Sequence, residues 1–167
     1  AKDFDLEFVT QMIPHHESAI EMAKLALQKS THDEVKTLAN GIIASQSAEI
    51  DTMKQWYKDW YGTDVPTVSS GAMWGGGMMS GQVSTAELNA APDFVEAFLS
   101  QMIEHHAMAV MMANMLDIAT NRPEMKKLAS DITSAQTKEI NDMKSWQQQW
   151  GYDSSSSNSS DMMNMMG

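Results

Sequence analysis

The chain has 167 residues, 43% of them hydrophobic, which is length and apolar content for one compact core or two small halves. Its 22 acidic against 11 basic residues leave a net charge of −11 and a pI near 4.7, a surface that repels nucleic acid and anionic lipid and gathers cations. No apolar run approaches the roughly 20 residues of a membrane span, and a chain with 17 methionines but no cysteine can form neither disulfides nor thiolate sites.

Taken in chain order, residues near 4–29 read as a helix with Phe8, Met12, Ala19, Ala23 and Ala26 on one stripe. Pro14 lies inside it and should kink it or remove a backbone hydrogen bond just before His15. Asp33 or Thr31 can cap a second helix from about Glu34 to Trp60, which stops at Gly62. Residues 63–91 hold Pro66 and the run from Gly71 to Met79 and read as a mobile Gly/Met-rich crossover. Pro92 and Asp93 open a third long helix from about Asp93 to Thr120. Pro123 sits in the first turn of the last, which ends near Gly151. The Ser/Met-rich tail, 153–167, reads as disordered. Two helical hairpins, 1–62 and 92–152, predict an all-α antiparallel four-helix bundle without strands.

The two hairpins are copies of one unit. Gln11-Met12-Ile13-Pro14-His15-His16 returns as Gln101-Met102-Ile103-Glu104-His105-His106, an offset of 90 residues. The same offset aligns Leu38, Ile42, Gln46, Glu49, Ile50, Met53, Trp56 and Trp60 with Leu128, Ile132, Gln136, Glu139, Ile140, Met143, Trp146 and Trp150. Four of the five histidines fall in the two motifs, and His32 in a loop is given no role.

Helical spacing puts Met12, His15 and His16 on one face, and Met102, His105 and His106 likewise. On the following helix Glu49 interrupts an apolar stripe, as does Glu139 in the second half. A carboxylate there needs a cationic, hydrogen-bonding or metal partner. In an antiparallel bundle the histidine pair and this glutamate can meet in the core, flanked by Gln46 and Met53, or by Gln136 and Met143. Imidazole and thioether together suit soft ions such as Cu(I) and Ag(I). Thioethers also carry no proton and stay usable in an oxidising compartment. The second half adds Met108, Met111, Met112 and Met115, where the first has Ser18, Glu21, Met22 and Leu25. Those sulfurs read as added metal capacity or as a patch that meets a partner. Tail residues Met162, Met163, Met165 and Met166 read as flexible thioether ligands, and Met73, Met78 and Met79 in the crossover do too.

Plainer readings stand beside these. Met22, Met53, Met125 and Met143 are explained by core packing, the tryptophans by core or bundle-end packing, and Glu49 by an ion pair with His15 or His16. A metal-free helical interaction module would account for Met108–Met115. A di-iron oxidase needs a Glu-x-x-His from each of two helices, but Thr52 and Asp142 stand where those histidines belong.

The repeated Met-x-x-His-His, followed by a helix bearing Gln-x-x-Glu-Ile-x-x-Met, resembles the CopM-type copper-binding proteins, bacterial ferritin-like bundles found mainly in the periplasm. The likeness covers about Asp3–Gly62 and Asp93–Gly151. It implies periplasmic copper binding, with silver as a further ion, and a contribution to copper resistance; the His and Met donors point to Cu(I) first, leave Cu(II) open, and no enzymatic role is expected. It points to Met12, His15, His16, Met102, His105 and His106 as ligands. The expected setting is a mature form without its signal peptide, periplasmic or secreted, exchanging copper with a periplasmic sensor or efflux component.

Overall fold

The computed structural model describes residues 3–66 and 85–152. Four long helices, α1 (Phe4–Lys29), α2 (Asp33–Tyr61), α4 (Phe94–Ala119) and α5 (Pro123–Trp150), form an antiparallel bundle with a short α3 (Thr85–Ala90). No strand occurs among the described residues. The end of the segment read as a crossover is thus helical. Its Leu88 is buried in the core and α3 packs on α1 and α4.

The expected helix limits hold to within a residue or two, with one correction at the start of α2. His32 is the N-cap and makes no side-chain capping bond, so neither Thr31 nor Asp33 caps. Ser30 Oγ accepts the His32 N–H at 3.0 Å instead, and Asp33 and Glu34 place negative charge in the first turn. Asp93 caps α4 by accepting the Glu96 N–H at 3.2 Å. Pro14 does not end α1, which continues to Lys29; the proline leaves the carbonyl of Thr10 without its helical donor.

α1 packs along α2 and α4 along α5, and the two hairpins meet through α1 and α4. That central pair carries Ala19, Ala23, Ala109 and Ala113, all fully buried, and such small side chains let two helices approach closely. α2 and α5 approach each other less closely and leave grooves between them. The core divides into two clusters that mirror the repeat. One joins Met12, Met53, Met112 and Met125 with Phe8, Leu116 and Ile132. The other joins Met22, Met102 and Met143 with Phe98, Leu99 and Ile42. Each cluster draws on the first half of one central helix and the second half of the other, as antiparallel packing requires.

The two ends of the bundle use equivalent loop positions differently. Arg122 lies over the Trp60 ring at 4.1 Å and donates to Asp5 Oδ2 at 2.6 Å, and the Thr120 hydroxyl donates to the same oxygen at 2.9 Å. At the other end His32 stacks on Trp150 at 3.7 Å, so this histidine has a structural role that its loop position concealed.

Two glycines on α2 make the backbone account testable. Gly62 ends the helix at φ 74°, in the left-handed region where a side chain is penalised. Gly41 is helical, and a Cβ built there meets nothing within 4 Å. Urea denaturation should therefore show Gly62→Ala destabilising by about 1 kcal/mol and Gly41→Ala stabilising by about 0.5–1 kcal/mol.

Candidate metal centre

The two His-His pairs come together at the middle of the bundle, where α1 faces α4. His15 and His105 stack across the hairpins, ring centroids 3.6 Å apart and planes inclined by 21°. The second histidine of each pair turns toward its own hairpin partner. His16 Nε2 lies 2.7 Å from Glu49 Oε1, and His106 Nε2 lies 2.7 Å from Glu139 Oε1. All four rings are buried, His16 and His106 completely.

The carboxylates sit differently from their expected place amid an apolar stripe. Their side chains are 20% and 19% exposed, so they line the outer edge of the core rather than its interior. A carboxylate that reaches both water and a buried ring is less costly than one sealed inside. Because an ionised carboxylate only accepts, Nε2 is the donor in each bond, and on a neutral ring that tautomer leaves a lone pair on Nδ1.

That lone pair has nothing to meet. Among the described residues the buried nitrogens His16 Nδ1, His106 Nδ1, His105 Nε2 and both nitrogens of His15 have no hydrogen-bond partner, and Gln46 Oε1 and Gln136 Oε1 share that condition. A buried polar atom left unpaired costs about 1–3 kcal/mol, and here five such ring atoms cluster around one point of the fold. Burial holds the His15 ring well below its ordinary range, and charges on His105, His16 and His106 would push it the same way. Burial, with His106 and His16, brings His105 down to about 3. Both stacked rings are neutral at neutral pH, the form that binds metal.

The donor set fits a soft cation better than a hard one. Among the described residues no three histidine or acidic side chains converge into a ready cage, so an ion held by these rings must draw on sulfur or on a change of rotamer. Sulfur is at hand in the two core clusters that flank the histidines. Met12, Met53 and Met112 share one, and Met102 and Met143 share the other. Met22 and Met125, assigned to packing from the sequence, belong to the same clusters. Only the offset of 90 residues, which pairs Met22 with Met112, offered a signal for Met22. Met108 is half-buried against the first cluster. Met111 and Met115 lie on the outer face of α4, 42% and 41% exposed beside Ile118, and are not brought to the histidines. Met73, Met78, Met79, Met162, Met163, Met165 and Met166 lie outside the described residues.

The domain of unknown function DUF305 matches residues 5–146 and again 96–167. The solved structure of CopM in its Cu(I)-bound form is 44% identical, covering 87% of this chain and 96% of that one at a TM-score of 0.78. The chain belongs to the DUF305 family and is of the CopM type. CopM in its Cu(II)-bound form is 46% identical over 87% of this chain and 97% of that one, with a TM-score of 0.80. A DUF305 fragment from Deinococcus radiodurans is 31% identical, covering 87% and 95% at a TM-score of 0.74. The uncharacterized protein L153 of Acanthamoeba polyphaga mimivirus is 44% identical over 48 residues, 29% of this chain and 32% of that protein; the match thus spans about a third of that relative's length.

The depressed pKa values of the stacked pair give the metal-free protein a defined pH response. In the unfolded chain the rings titrate near about 6.5, and folding moves them down, to about 3 for His105. Between those limits the unfolded state binds protons that the folded state refuses, so stability is full above the upper limit and falls as pH falls. The urea midpoint of metal-free protein should drop between pH 7 and pH 5, with a slope of at most about 1.4 kcal/mol per pH unit for each ring. A His15→Leu/His105→Leu variant should lack that part of the slope.

Proposed function

We propose that this protein binds Cu(I) and Ag(I), and Cu(II) through its histidines, as a non-enzymatic periplasmic protein that sequesters or carries copper and so contributes to copper resistance. The observation that carries the reading is the cluster of buried, unpartnered imidazole nitrogens between two thioether-bearing cores. Related proteins support it: CopM has been solved in Cu(I)-bound, Cu(II)-bound and Ag-bound forms, at 44–46% identity.

In this reading the ring nitrogens facing the core are ligands, and Met12, Met53, Met102, Met112 and Met143 complete soft sites of low coordination number. Glu49 and Glu139 fix the tautomer and orientation of His16 and His106 from outside, as carboxylates commonly do behind metal-binding histidines. The net charge of −11 concentrates cations near the surface. The terminal methionines gather ions and exchange ligands during transfer to a periplasmic sensor or efflux partner.

A second reading has its own observation. Met111, Met115 and Ile118 form an exposed apolar strip on α4, suited to an adaptable contact with another protein. Copper transfer and docking are compatible, and the strip is then where a recipient would sit.

An anaerobic Cu(I) titration against a chromophoric competitor tests the proposal. The chain truncated after Tyr152 should keep its tight binding. Changing all four motif histidines to alanine should abolish it, and Glu49→Gln should weaken it by about 10- to 100-fold. Loss of competition on truncation alone would move the working ligands to the tail, and no competition by the full chain would overturn the copper reading.

A further inference from the structure

The buried histidine pairs lack an obvious way in for an ion, because His16 and His106 have no exposed surface. Among the described residues, Glu49 and Glu139 reach from solvent to these two rings. Each is bonded to its buried ring and is also about one-fifth exposed. Each also lines one of two grooves between α2 and α5. The first holds Glu49, Thr52 and Trp56 from α2 and Glu124, Lys127 and Asp131 from α5. The second holds the repeat-equivalent residues Glu139, Asp142 and Trp146 from α5 and Glu34, Thr37 and Gly41 from α2.

The grooves are equivalent in place but not in lining. In the first, Lys127 and Asp131 form a salt bridge at 2.7 Å, and its cavity is about 280 Å³. In the second, Thr37 and Gly41 occupy those two positions, and the cavity is about 580 Å³. The second groove has its own pair, Lys138–Asp142 at 3.0 Å, and adds the carboxylate of Asp33. It is the larger of the two in volume and carries one more acidic group.

The geometry points to these grooves as two unequal access routes by which cations reach the histidine pairs, with Glu49 and Glu139 as the hand-over carboxylates and the Gly41 groove as the faster route. The inference rests on the metal-binding reading above. A carboxylate holds a soft ion weakly, which suits a residue that must pass the ion on. Swinging away from His16 or His106 would free the carboxylate to meet an ion at the groove floor, and returning would restore the bond that orients the ring. A larger opening and a more negative lining both raise the rate of cation arrival.

Stopped-flow mixing of the full chain with silver nitrate, followed by tryptophan fluorescence, tests this, since Trp56 and Trp146 line the grooves. Wild-type protein should load in two phases. Gly41→Arg adds a cationic side chain where a Cβ meets no neighbour within 4 Å, so the fold should be kept. It should slow the fast phase at least about tenfold, leaving the slow phase and the final stoichiometry unchanged. Glu139→Gln should slow the same phase. Lys127→Ala, at a residue 77% exposed, should speed the slow phase and serves as the independent variant if Gly41→Arg misfolds. Silver binding at rates untouched by Gly41→Arg and Lys127→Ala would overturn the access routes and leave the binding reading standing. Failure of the wild-type chain to bind silver would overturn both.

Discussion

A short bond between a buried imidazole and a partly wet carboxylate, made once in each hairpin, governs the rest of the centre. His16–Glu49 and His106–Glu139, both at 2.7 Å, tie each central helix to its outer neighbour and fix the outward nitrogen of the ring as a donor. The inward nitrogen, Nδ1, lies in a core that offers it no hydrogen bond. The remaining pair, His15 and His105, can stack at 3.6 Å because burial keeps both rings neutral. An array of buried imidazole nitrogens without hydrogen-bond partners is expensive in an otherwise apolar bundle. A soft metal ion is the ligand class that would offset that expense while using the surrounding thioethers.

Duplication gave the molecule two copies of this device, and divergence has since worked outside it. The histidines, their glutamates, Gln46 and Gln136, and Met53 and Met143 are paired across the repeat. Differences gather at the periphery. Arg122 clamps Trp60 and Asp5 where His32 stacks on Trp150. Met111 and Met115 face outward on α4 where α1 has Glu21 and Leu25, and Gly41 lines the larger groove at the place where Asp131 lines the smaller. The centre is therefore close to symmetric while its surroundings are not, which is the pattern expected if two similar sites are reached or emptied at different rates.

Much of this was legible in the sequence. The four long helices follow from apolar periodicity, from Gly62 and Gly151 at positive φ, and from Pro123 at the start of α5. The repeat pointed to the meeting of each histidine pair with the glutamate of the next helix, and the coordinates place His16 on Glu49 and His106 on Glu139. What escaped was tertiary. The stacking of His15 on His105 joins residues from different hairpins, and no local pattern encodes the packing of α1 on α4. The exposure of Glu49 and Glu139 depends on how closely α2 approaches α5. For Met111 and Met115 the sequence left metal capacity and an outward patch as alternatives, and only the rotation of α4 in the bundle decides that they face solvent. Helix α3 is too short to announce itself by periodicity and is held by the burial of Leu88.

The central claim is that Glu49 and Glu139 hold Nε2 of His16 and His106 while Nδ1 faces the core for metal. Nitrogen NMR of the histidine rings during titration with Ag(I), a closed-shell ion, addresses it directly. The account predicts that Nδ1 of His16 and His106 shifts and couples to silver while Nε2 of both rings stays protonated. Deprotonation or silver coupling at Nε2 with Nδ1 unmoved would contradict it, as would methionine methyl shifts with all four motif rings unchanged.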